Sequence, residues 1–189
     1  MNKQKIILAI TGASGSIYAM MLIDKLQLIS EQLEDVAVVF SEKGKEVWAY
    51  ELGEKSMNSI PFKQYKYSDF FVPFASGSSD YQTMIICPCS MGTLGRIAHG
   101  TSDNLIIRSA DVMLKERRKL ILVIRESPYN LIHINNMKVL TEAGGIICPA
   151  NPSFYAHPQS IEELIVTVVD RILDLSGFKI EAARWTLKD

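Results

Sequence analysis

The sequence predicts an α/β fold, a Rossmann-like or flavodoxin-like three-layer sandwich with a mostly parallel sheet, on three observations. Five short runs rich in Ile and Val recur along the chain: KIILAI (5–10), DVAVVF (35–40), TMIIC (83–87), KLILVI (119–124) and GIIC (145–148). They are continuously apolar, not alternating, as strands covered on both faces are. Between them lie amphipathic stretches of helical length, which implies parallel strands joined by crossover helices.

Taken in order, the first run holds six residues before Thr11 and Gly12, too few for a signal segment or a membrane span. A helix follows from Ser16 to Ile29. After the second run, Ser41 and Glu42 open a helix reaching Gly53, with the Ser41 hydroxyl placed to cap it. From Lys55 to Tyr81 the periodicity fails at Pro61, Pro73 and Ser76-Gly77-Ser78-Ser79, which reads as a long functional loop. The third run leads through Pro88 into a helix at Met91 to His99, and a second helix covers Asp103 to Arg118. The fourth and fifth runs are separated by a helix from Asn130 to Ala143, and another runs from Ser160 to Leu175. The closing stretch from Glu181 to Trp185 reads as a short helix.

With 189 residues, 48% hydrophobic and 22% charged, the chain suits one globular domain, residues 1–189, able to bury a sizeable core. Twenty basic against 21 acidic side chains leave a net charge of −1, so no global field favours nucleic acid or an anionic membrane, and a cytoplasmic location is expected. Cys87, Cys89 and Cys148 are odd in number and Cys87-Pro88-Cys89 lacks redox or zinc spacing, which favours reduced core thiols. His99, His133 and His157 are scattered and no Asp-rich motif is present, so no metal is expected and Lys and Arg must handle any phosphate. A serine hydrolase fits poorly, because Ser14 lies in no G-x-S-x-G elbow.

Ligands of open α/β sheets collect beyond the carboxyl ends of the strands. There the chain places Thr11-Gly12-Ala13-Ser14-Gly15-Ser16, then Ser41, then Ser90-Met91-Gly92-Thr93, then Arg125-Glu126. Small residues before helix N-termini suit an anion or a flavin edge. Singly, each has a plainer reading: a tight turn, a helix cap, a structural ion pair. Three such loops at one sheet edge weigh more than any one. Arg108 and Lys115 belong to a helix whose charges read mostly as a solvated face, none of them singled out by pattern alone, Tyr155 to an aromatic pair between prolines, and Arg171 to an apolar helix from which it can snorkel.

Five blocks, TGASGSIYA (11–19), CPCSMGTL (87–94), DNLIIRSADVMLKERRKLILVIRE (103–126), IHINNM (132–137) and FYAHPQS (154–160), together resemble the UbiX/Pad1 flavin prenyltransferase family nearly end to end. The resemblance implies a Rossmann-like subunit in a dodecamer, with FMN between subunits and a dimethylallyl phosphate beside it. It implies joining of the dimethylallyl group to N5 and C6 of reduced FMN, giving prenylated FMN for a UbiD-type decarboxylase.

Carried onto this chain, it assigns flavin contacts to Gly12, Ala13, Ser14, Ser90, Met91, Gly92, Thr93 and Arg125, and the flavin phosphate to Ser41 with Arg108 from a neighbouring subunit. The allyl phosphate falls to Lys115, Arg125, Tyr155 and Arg171, and proton handling to Glu126, Ser14 and Glu51. Two rivals are an FMN-dependent decarboxylase acting on aromatic acids and a noncatalytic FMN carrier.

Overall fold

The computed structural model describes residues 3–182. Six strands form one sheet: β1 (Gln4–Ile10), β2 (Leu33–Phe40), β3 (Lys63–Tyr65), β4 (Thr83–Cys89), β5 (Lys119–Ile124) and β6 (Ile146–Ile147). Their order is β3-β2-β1-β4-β5-β6 and every neighbouring pair is parallel. Among the described residues the α-helices are α1 (Ser16–Leu28), α2 (Glu42–Leu52), α3 (Glu54–Asn58), α4 (Met91–Ala98), α5 (Leu105–Lys115), α6 (Leu131–Glu142) and α7 (Ile161–Ser176).

The apolar runs are strands because both their faces are covered. Ile6, Leu8 and Ile10 face Leu22 of α1, Trp48 of α2 and Val169 of α7 on one side. On the other side Ile7 and Ala9 join Leu94 of α4, Ala110 of α5 and Leu140 of α6. This is the three-layer sandwich that the sequence predicts.

The differences from expectation are local. The loose segment contains three short elements, α3, β3 and a single 3₁₀ turn at Pro73–Ala75. β3 is largely exposed and exists because it pairs with Ala37–Val39 of β2, a partner that its own sequence does not announce. The predicted helix to Arg118 ends at Lys115, since Arg117 adopts a left-handed φ of 56° that breaks the helix and starts the turn into β5. Glu181 and Ala182 are not helical, and the rest of the predicted terminal helix lies outside the described residues. Cys87, Cys89 and Cys148 are free and buried. Burial pushes the Cys87 and Cys89 thiols well above their ordinary range, so neither is a ready nucleophile.

Candidate active site

Strand order reverses between β1 and β4, and at such a switch point the two following loops diverge and leave a crevice. One hydroxyl laces the loops together: Thr11 Oγ1 donates to the Pro88 carbonyl (2.7 Å) and accepts from Ser90 N (2.9 Å). From this seam a 330 Å³ cavity opens, lined by Gly12, Ser41, Tyr67, Ser90, Gly92, Thr93, Arg96 and Asn104 among others. Its volume is in the range of small-molecule sites.

The N-termini of α2, α4 and α5 all meet this cavity. Each is capped by its own side chain: Ser41 Oγ accepts from Gly44 N (2.9 Å), Ser90 Oγ from Thr93 N (3.3 Å) and Asn104 Oδ1 from Ile107 N (3.1 Å). The remaining first-turn amides have no helical partner and favour an anion. A Cβ on Gly12 would come within 2.7 Å of Lys43 Cβ, whereas one on Gly92 would project into open space. Gly12 is therefore pressed against α2, while the cavity is open on the Gly92 side.

Beside the cavity, Gly15 turns the chain with a left-handed φ of 113° and, lacking a side chain, leaves α1 without a local cap. Glu51 of α2 supplies one from outside, accepting from Gly15 N (3.0 Å) and Ser16 N (2.7 Å). Partial desolvation of this largely exposed carboxyl acts to raise it, but hydrogen bonds from the Ser14 hydroxyl and the Ser16 and Gly15 amides outweigh this and hold it below the ordinary value of 4.5. On the other side Arg125 Nε donates to the Ser14 carbonyl (2.9 Å), so β5's end is tied to the same loop. The half-buried Tyr18 ring packs over Gly15 next to the Arg125 stem.

The structure thus brings together Gly12, Ser41, Ser90, Gly92 and Thr93 around one cavity, with Ala13, Ser14, Glu51 and Arg125 on its flank. Met91 is buried and also borders an adjoining hollow between α4 and α6. Arg125 and Glu126 turn to separate partners, Glu126 accepting from Ser127 N (3.1 Å). Tyr155 and Arg171 share a different 370 Å³ cavity, against α7.

Two residues stand apart. Arg108 donates to the Ala75 carbonyl (3.0 Å) and pairs with Asp111 (3.0 Å), and Lys115 pairs with Glu116 beside Gly77. Lys115 lies at the amino edge of the sheet, where Arg118 grips the Gly77 and Tyr81 carbonyls (2.7 and 3.3 Å). Arg125 lies at the carboxyl edge, beyond the six residues of β5, a separation of about 20 Å. Within one chain the four predicted phosphate ligands do not meet. Sequence reasoning also passed over Arg96, Tyr67 and Asn104. Of these only Asn104 carried a signal, as a cap residue just ahead of an apolar helix.

The fold and the switch-point cavity define an open α/β protein with a small-molecule crevice where its strand order reverses, and the Flavoprotein family profile matches residues 1–173. A flavin prenyltransferase UbiX from Methanocaldococcus jannaschii is 43% identical over 175 residues, spanning 92% of this chain and 93% of the relative. The chain belongs to the UbiX flavin prenyltransferase family. Among solved structures, AnUbiX in complex with FMN and dimethylallyl pyrophosphate superposes with a TM-score of 0.91 at 37% identity, covering all of both chains. A dodecameric FMN-dependent UbiX-like decarboxylase from Escherichia coli O157:H7 superposes with a TM-score of 0.90 at 35% identity, covering 97% of this chain and 100% of the other.

Proposed function

We propose that this protein is a flavin prenyltransferase, joining the dimethylallyl group of dimethylallyl phosphate to N5 and C6 of reduced FMN and so making prenylated FMN for a UbiD-type decarboxylase. The observation that carries this reading is the end-to-end likeness to flavin prenyltransferases and to a UbiX protein solved with FMN and dimethylallyl pyrophosphate. Reduced FMN supplies the nucleophilic ring atoms.

The chain's own residues do the rest. The α2 and α4 N-termini, with Ser41 and Thr93, hold the flavin phosphate, while Gly12, Ala13 and Gly92 admit the ring edge. Ser14, fixed by Glu51 on one side and Arg125 on the other, sets a hydroxyl next to the reacting edge, and Glu126 exchanges a proton at N5. As the allylic C–O bond breaks, negative charge grows on the departing phosphate, and Arg125, Tyr155 and Arg171 with Lys115 stabilise it. Lys115 comes from a neighbouring copy, because one chain cannot fold it onto its own Arg125, and Arg108, held here by the Ala75 carbonyl and Asp111, reaches the flavin phosphate of a neighbouring copy.

Assembly into a homo-oligomer, a dodecamer like that of the Escherichia coli relative, follows from this division. The exposed apolar side chains of α6, Leu131, Ile132, Ile134 and Val139, offer a surface for it. Among the described residues no helix is long and apolar enough to cross a membrane, and the buried free thiols suit the cytoplasm.

The test is mass spectrometry of the flavin after anaerobic incubation of the protein with reduced FMN and dimethylallyl phosphate, and in parallel with the diphosphate. Gain of one five-carbon unit is the expected result. Unaltered FMN, tightly bound with either donor, would overturn the reading in favour of a carrier or a decarboxylase.

A further inference from the structure

We infer that Arg96 grips the 5′-phosphate of FMN, a role that rests on the flavin reading above. Arg96 lines the switch-point cavity together with Ser41 and Asn104. Its Nη1 is held by Asp103 Oδ2, and Asp103 Oδ1 accepts from Asn104 Nδ2 (2.8 Å), so the guanidinium is tied to the N-cap of α5. The second cation lining the cavity is Lys43. Its ammonium pairs with Glu46 (2.6 Å) on its own helix, and its side chain is 77% exposed.

The charges around the cavity favour a cation of the chain's own beside the neighbouring copy's Arg108. Glu42 lines the cavity and Asp103 is bonded to two of its lining residues, Arg96 and Asn104, so a phosphate dianion at the helix N-termini has carboxylates in its surroundings. Glu42 is matched by Lys45 (3.2 Å) and Asp103 by Arg96. A guanidinium carries five N–H donors in a planar fork, so after meeting Asp103 Arg96 keeps donors for a phosphate oxygen. The rival reading makes Arg96 merely a surface ion pair in the last turn of α4, which predicts no effect on ligand.

Titration of the flavin-free protein with oxidised FMN and with riboflavin, which lacks the phosphate, separates the two. Arg96→Ala is expected to weaken FMN about 10- to 100-fold, the usual loss for one charge-assisted hydrogen bond, and to leave riboflavin unchanged. Arg96→Lys is expected to recover part of the affinity. Because Arg96→Ala also exposes the Asp103 carboxylate, the double variant Arg96→Ala/Asp103→Asn removes that repulsion and is expected to stay weak. Unchanged FMN affinity, equal weakening of both flavins, or full recovery in the double variant each overturns the inference. None of these results bears on whether the unaltered protein prenylates FMN, which the flavin's mass decides separately.

Discussion

Glu51 is a helix cap borrowed from another helix, and its removal has a calculable effect. The N-cap of α1 is Gly15, which has no side chain to offer, so the first amides depend on the Glu51 carboxylate at 2.7–3.1 Å. Loss of a capping side chain costs about 1 kcal/mol, and an anion at a helix N-terminus adds about 0.3–1 kcal/mol. Glu51 is exposed, which keeps the second contribution toward its lower end, so Glu51→Ala should destabilise by about 1–2 kcal/mol. For a chain of this size that lowers Tm by about 3–6 °C in a circular-dichroism melt.

The pH dependence has a definite sign. A carboxyl held below its unfolded value stabilises the fold above that value, and the contribution is lost as pH falls through the folded value. The unfolded value is the ordinary 4.5, so the Tm gap between the unaltered protein and Glu51→Gln should be open at neutral pH and close in acid below it. A gap that does not change with pH, or a Glu51→Ala protein that melts with the parent, would refute the capping argument.

Three other outcomes follow. Arg125→Ala should lower kcat about 10²- to 10³-fold, as removal of one preorganised charge donor does. Arg125→Lys should rescue it poorly, since the Nε bond to the Ser14 carbonyl has no ammonium equivalent, and single-turnover kinetics would check both. Lys115→Ala and Arg171→Ala chains, each inactive alone, should regain activity when co-expressed; no recovery would mean that the site is not shared between copies. Leu131→Glu with Ile132→Glu, at side chains 70% and 67% exposed, should leave the subunit folded but reduce its particle size in light scattering.

The sheet was legible because burial on both faces demands continuous Ile and Val, a demand visible in any one run. β3 was not, because Lys63-Gln64-Tyr65 is polar and gains its strand geometry only from β2. The loops after β1, β2 and β4 were legible as small residues ahead of helices, and they do converge. The family resemblance named Lys115 and Arg125 together, although their order along the chain, one before and one directly after the fourth run, already sets them at opposite ends of β5. Arg96 was hidden for a different reason: one basic residue at the end of a helix looks the same whether it meets water or a cavity, and only the approach of α2 and α5 decides.

With the allyl phosphate held as proposed, the placement of Lys115 and Arg125 at opposite ends of one strand makes chemistry a cooperative property. A strand is inextensible, so no fluctuation of a single subunit can close that gap, and a freshly folded subunit can be fully native yet inert. Specific activity should therefore rise with protein concentration and fall on dilution before any fold is lost, with loss of turnover tracking dissociation and not melting. A cell could thereby throttle the reaction through subunit abundance alone, with no inhibitor and no covalent modification.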